Sequence, residues 1–165
     1  MQKQKCESLL NSFTFPFYLD DSQGGSPNQY VYLSHHILRR LKDQHPFLGP
    51  FNSNHAPYFM SLLYSFCKNN NIVVTKIYRV AINLTFNLGK RKPHIHTDHD
   101  HNYYQLLIYL NECDSKAHTI ILNEKKKIIK RIQPEKYKGV YFNKHDHYQL
   151  YPKTGFRIVA VYTFS

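Results

Sequence analysis

Seven of the eleven histidines fall between His94 and His147. The stretch Pro93-His94-Ile95-His96-Thr97-Asp98-His99-Asp100-His101 is followed by a second group, His145-Asp146-His147. In an extended chain residues i and i+2 share a face. His96 and Asp98 can therefore approach one metal together, with His147 arriving from another strand. Two imidazoles and a carboxylate on one face of an octahedron suit non-haem Fe(II), and three positions stay open for a bidentate co-substrate and dioxygen. A structural zinc site would fill its four positions with protein ligands. The same residues allow other sets. His94 with His96, or His99 with His101, could hold zinc or nickel as a histidine-rich tract does, and His145 competes with His147. His96 is preferred because an aspartate follows it by two residues, and His147 for its offsets to Phe142 and Arg157. Asp100 and Asp146 read as carboxylates that orient imidazoles or face water. His118, His35 and His36 read as structural.

Arg157 lies ten residues beyond His147, after the turn-like Pro152-Lys153-Thr154-Gly155. A three-residue hairpin loop would set Arg157 opposite Gln149, on the face of His147 and roughly 8 Å from it. A five-carbon dicarboxylate chelating the metal at one end would bring its far carboxylate there. Arginine's planar fork matches a carboxylate through two charge-assisted hydrogen bonds.

These residues need strands to hold them. β-Branched and aromatic residues fill Ile72–Leu88, and shorter candidates follow at Tyr103–Leu110, His118–Leu122, Lys127–Ile132, Gly139–Phe142, His147–Tyr151 and Phe156–Phe164. Short strands separated by turns, with few helices between them, predict an antiparallel barrel or sandwich of jelly-roll type. One helix is predicted over His55–Lys68, with Pro57 in its first turn and Phe59, Leu62, Leu63 and Phe66 on one face; Asn69–Asn71 ends it. Before it the chain reads as irregular, with an edge strand at Phe13–Tyr18 and a loop at Gly24–Asn28. The fold class is α+β, mainly β. Residues 1–165 form one domain, with 1–71 as irregular and helical support and 72–165 as the β core.

The remaining sequence bounds the function. The 165 residues, 42% apolar and 20% charged, fit one globular domain. No apolar run approaches the roughly 20 residues of a membrane span, and Met1–Leu9 lacks the apolar stretch of a secretory signal. Three widely spaced cysteines, Cys6, Cys67 and Cys113, argue against a disulfide framework and for a reducing cytoplasm. Cys113 has no activating neighbour in sequence. A net charge of +11, with runs at Lys90–Lys92, Lys125–Lys127 and Lys130–Arg131, favours anionic partners, nucleic acid among them. Fourteen tyrosines and eleven phenylalanines could stack on bases; at this density they more often fill a small β core.

His96-Thr97-Asp98, then His147, then Gly155-Phe156-Arg157 resembles the Fe(II)/2-oxoglutarate-dependent dioxygenase superfamily, its prolyl-4-hydroxylase-like branch especially. Gly139–Phe142 resembles the family's strand leading to the distal histidine, and Ile108–Asn111 the strand after its His-x-Asp loop. Ala117-His118-Thr119 stands where the family often has Gly-Gly-Glu-Thr, and only the threonine is kept. The likeness covers about Ile72 to Phe164. It implies a double-stranded β-helix in which His96, Asp98 and His147 bind Fe(II) and Arg157 holds the distal carboxylate of 2-oxoglutarate. Thr119 and Tyr104 would line that pocket. The implied reaction hydroxylates an unactivated C–H bond of an unidentified peptide, nucleobase or small molecule, while dioxygen and 2-oxoglutarate yield succinate and CO₂. Substrate choice would reside in the mouth loops, Gly24–Asn54 and Lys90–Pro93, whose Lys90 and Lys92 favour an anion. Two other classes fit parts of the sequence: a non-catalytic metal-binding cupin-like module, and a basic nucleic-acid-binding β protein.

Overall fold

The computed structural model describes residues 2–12, 15–20, 32–40, 51–87, 89 and 94–165. Helix α1 (Gln2–Leu10) and strands β1 (Tyr18–Asp20) and β2 (Tyr32–Leu38) come first, then helix α2 (Ala56–Asn69). The strands β3 (Ile77–Phe86), β4 (Tyr104–Tyr109), β5 (Thr119–Leu122), β6 (Ile128–Ile132), β7 (Gly139–Asn143), β8 (His147–Gln149) and β9 (Phe156–Phe164) complete the chain. The N-terminal part is thus more regular than the sequence suggests. The loop at residues 24–28, residues 13–14 of the expected edge strand, and residues 24–31, 41–50 and 90–93 of the mouth loops, Lys90 and Lys92 included, lie outside the described residues.

Two antiparallel sheets result, a six-stranded one ordered β1-β2-β3-β9-β4-β7 and a three-stranded one ordered β6-β5-β8. This is the mainly β, α+β architecture of a double-stranded β-helix, with sheets that face each other without closing. The alternation of side chains decides what lies between them. On the large sheet Val80, Ile82, Leu106, Ile108, Ile158, Ala160 and Tyr162 face outward onto Phe59, Leu63 and Cys67 of α2 and form the larger core. Leu107, Tyr109, Val140, Phe142, Val159 and Val161 face the other way, onto Ile121 of β5, and form the smaller core between the sheets. Helix α2 carries Ala56, Phe59, Met60, Leu63 and Cys67 at helical spacing on its buried face. It ends where Asn71 turns left-handed at φ 55°, a conformation asparagine tolerates.

At Gly139 of β7 the sheet backbone lies close against Phe66 of α2. A methyl group there would stand 2.5 and 2.8 Å from two ring carbons of Phe66. Gly139→Ala is expected to cost about 1–3 kcal/mol by overpacking, read as a lower urea midpoint at unchanged m value. An unchanged midpoint would mean that the Phe66 ring swings aside freely.

The basic runs at Lys125–Lys127 and Lys130–Arg131 lie at β6, an edge of the small sheet whose residues 128–131 are all exposed. Lysine on an edge strand discourages pairing with other chains. Among the described residues no helix is long and apolar enough to cross a membrane.

Candidate active site

The histidine-rich loop is tied to β8 by its backbone. The His96 N–H donates to the His147 carbonyl at 3.1 Å and the His147 N–H returns to the His96 carbonyl at 3.0 Å. This bridge sets the two imidazole centroids 4.6 Å apart. Each ring turns its Nδ1 to a backbone carbonyl, His96 to His94 at 3.1 Å and His147 to His145 at 3.0 Å. A carbonyl only accepts, so Nδ1 carries the proton and the Nε2 lone pair is left to serve as a ligand. Burial first, and then the neighbouring His147, push the His96 imidazolium down to about 4, so His96 is neutral at physiological pH.

Among the described residues Asp98 is the only acidic side chain lining the cavity, and it is buried. Its N–H donates to the Tyr103 hydroxyl at 2.8 Å. Its Oδ1 accepts from Arg40 Nη2 at 2.9 Å and Arg79 Nη1 at 3.2 Å, while Oδ2 lies 3.9 Å from His147 Nε2. Burial opposes its ionisation, but Arg79, His147, His96 and Arg40 outweigh it and hold the carboxyl well below the usual range. Two donors 3.9 Å apart can share an ion at metal–ligand distances of about 2.1 Å. Among the described residues no three His, Cys, Asp or Glu side chains stand grouped closely enough to hold a metal ion as placed. Because the arginines occupy Oδ1, the carboxylate offers one oxygen to a metal.

Arg157 sits in the same cavity, 3% exposed. It donates through Nη1 to Gln149 Oε1 and through Nη2 to Thr119 Oγ1, the latter at 2.8 Å. Thr119 also shares a 2.8 Å hydrogen bond with the Tyr109 hydroxyl, and the guanidinium carbon lies 5.1 Å from the Tyr109 ring centroid. The expected hairpin is not how this contact arises. Strand β8 pairs with β5 and β9 pairs with β3 and β4, so the two strands lie in opposite sheets. Arg157 reaches Gln149 across the gap between the sheets. Gly155, at φ +67°, supplies the turn that sends the chain over.

The cavity brings together His96, Asp98, His147, Thr119 and Arg157, but not Tyr104. On β4 the residues facing the cavity are Gln105 and Leu107, so Tyr104 points to the other face, stacked on Tyr141 with centroids 5.4 Å apart. Strand alternation is the physical reason. The position is taken by Gln105, whose amide Nε2 lies 3.4 Å from His147 Nε2. Should the cavity take 2-oxoglutarate, as the sequence resemblance implies, Tyr104→Ala is accordingly expected to leave its half-saturating concentration within about twofold of wild type. A larger rise in half-saturating concentration would return Tyr104 to the pocket.

The other histidines sort by contact. His99 is turned to Thr163 Oγ1 at 2.7 Å, and its ring lies near His101 and Tyr103. His145 faces a separate groove with Thr97 and Asn143. His35 is structural, bonded to the Pro16 carbonyl and Ser53 Oγ at 2.7 Å each. His36 instead lines the cavity, a correction to its structural reading that follows from β2 pairing with β3. Asp146 is paired with Lys126 at the surface. Burial pushes the Cys113 thiol up, which disfavours a nucleophilic role. Arg40, Arg79 and Gln105 are absent from the sequence reading altogether.

No family model and no curated protein matches the chain. Solved structures do. The chain superposes on an oxidoreductase of the 2OG-Fe(II) oxygenase family from Burkholderia pseudomallei with a TM-score of 0.67, at 15% identity, over 98% of this chain and 77% of that one. The fold is that of the 2OG-Fe(II) oxygenases. The 2OG complex of the viral collagen prolyl hydroxylase vCPH from Paramecium Bursaria Chlorella virus-1 matches with a TM-score of 0.52 at 12% identity, over 99% of this chain and 90% of that one. A truncated form of vCPH matches with a TM-score of 0.50 at 13% identity, over 79% and 72% of the two chains. Within this fold the cavity between the two sheets holds Arg40, Arg79, Asp98 and Arg157.

Proposed function

We propose that this protein is an Fe(II)- and 2-oxoglutarate-dependent dioxygenase that hydroxylates its substrate while 2-oxoglutarate and dioxygen become succinate and CO₂. The observation that carries the reading is the placement of His96, Asp98, His147 and Arg157 in one buried cavity of an oxygenase fold. The donor set fits the metal: two imidazoles with Nε2 lone pairs and a carboxylate limited to one oxygen leave three positions of an octahedron open. The pocket also fits the co-substrate, since Arg157 Nε, a donor a carboxylate can meet, is buried with no partner among the described residues.

Bound Fe(II) would hold 2-oxoglutarate and dioxygen and supply the oxidation. His96 and His147 would hold it through Nε2 and Asp98 through Oδ2. Arg40 and Arg79 keep the Asp98 carboxylate from turning. Arg157 receives the distal carboxylate in its planar fork, with Thr119 bracing the guanidinium. Leu107, Val159 and Val161 line the cavity and exclude water.

Anaerobic titration with Fe(II) and then 2-oxoglutarate tests the reading. A weak visible charge-transfer band should appear only with both, and succinate should form on admitting air. Iron binding with no band and no succinate would leave a metal-binding module in its place.

A further inference from the structure

The cavity has two cationic ends. Thr85, paired with Arg157, and Arg79, paired with Thr163, are six residues apart on β3, which is roughly 20 Å of extended chain. Arg157 with Thr119 and Gln149 marks one end. Arg79 and Arg40, both on Asp98 Oδ1, mark the other, and His147 lies between, 3.9 Å from Asp98. Of the other polar residues lining the cavity, His36, opposite Ala81 on β3, lies nearest that second end, while Asn83 and Tyr32 lie toward Arg157.

This argument rests on the function proposed above. Arg157 is balanced by one carboxylate of 2-oxoglutarate. Fe(II) is balanced by the other carboxylate and by Asp98. Arg40 and Arg79 then keep two positive charges in a site where Arg79 is 5% exposed and Arg40 Nε is buried with no partner among the described residues. Buried charge is costly unless a counter-charge meets it. Both guanidiniums already reach a single oxygen atom, so one compact group can touch both. Each is a planar fork that matches phosphate as well as carboxylate.

We propose that Arg40 and Arg79 receive a phosphate monoester carried by the primary substrate, on the side of the metal ligands away from Arg157. A dianion cancels the two residual charges. A carboxylate or a phosphodiester cancels one.

The test is calorimetric titration of the anaerobic, Fe(II)-loaded, 2-oxoglutarate-saturated protein with methyl phosphate at low salt. One molecule should bind per chain, and dimethyl phosphate and acetate should bind at least about tenfold more weakly. Arg40→Gln should lose at least about tenfold in methyl phosphate affinity. Arg40→Lys, which keeps the charge without the fork, should lose less. Lys130→Gln, which removes a charge from exposed β6, should stay within about twofold. Equal or tighter binding of dimethyl phosphate would overturn the monoester and point to a nucleic-acid backbone; the same result with acetate would point to a carboxylate substrate. No binding of methyl phosphate, or binding unchanged in Arg40→Gln, would overturn the site while leaving the 2-oxoglutarate reading intact. A protein that fails to bind 2-oxoglutarate overturns both.

Discussion

Replacing Arg157 by glutamine is expected to raise the 2-oxoglutarate concentration for half-maximal succinate formation by about 10²–10⁴-fold. Two hydrogen bonds to a charged group are each worth about 1.5–3 kcal/mol, and every 1.4 kcal/mol is about tenfold. Among the described residues no second cation stands by to substitute, because Arg40 and Arg79 are engaged with Asp98 at the other end of the cavity. Arg157→Lys should recover part of the loss, since an ammonium keeps the charge without the fork. Steady-state kinetics in 2-oxoglutarate, with succinate as the readout, decides it. A variant with wild-type half-saturation would remove Arg157 from the co-substrate site, whatever its effect on stability.

The second large effect belongs to Asp98. Asp98→Ala should abolish iron-dependent succinate formation and, in the metal-free protein, destabilise the fold by about 3–5 kcal/mol, the usual cost of removing one partner from a buried ion pair. The loss arises because Arg40 and Arg79 would then face each other with no counter-charge. The effect depends on pH with a definite sign. The carboxyl is held below its ordinary value of about 3.9 in the folded state, so its stabilising contribution is fully present above that value. It is lost as pH falls through the lower folded-state value. Metal-free wild type should therefore lose stability below about pH 4 more steeply than Asp98→Ala. Urea midpoints from pH 7 down to pH 3 measure this. Parallel curves for the two proteins would show that Asp98 is not the buried anion described here.

The residues proposed to hold the metal stood out because their pattern is local, an aspartate two residues from a histidine and a second histidine at the start of a short strand, and the structure brings them to one cavity. The larger strands and α2 were legible from periodicity. What the sequence concealed is instructive. Strand β3 reads Val80-Ala81-Ile82-Asn83-Leu84-Thr85-Phe86, an apolar–polar alternation that suggests one face in water. Ala81 is fully buried, Thr85 is 1% exposed and Arg79, farther along, is 5% exposed, so the polar face lines a cavity. Alternation reports polarity, and whether the polar side meets water or a second sheet depends on residues distant in sequence. Strand β2 was lost for a related reason: Tyr32-Leu33-Ser34-His35-His36 carries too many polar residues to stand out, yet it supplies the wall that holds His36 and leads to Arg40. The Arg157–Gln149 contact was expected from a hairpin and arises across two sheets, which shows that proximity can survive a mistaken pairing.

The place of β9 has a consequence for how the molecule comes into being. The final described strand lies inside the large sheet, between β3 and β4, and Phe164 pairs with Ile77 across 87 positions of chain. Until it arrives, β1-β2-β3 and β4-β7 are separate pieces, and β3 and β4 each present an unpaired edge. Pairings between such distant residues form slowly, and the exposed edges invite association with other chains. Arg157 arrives on this same strand, so the cavity proposed to take 2-oxoglutarate and the sheet are completed in one event. A partly folded chain cannot retain a working site, and recovery of 2-oxoglutarate binding during refolding should follow the same time course as recovery of sheet structure.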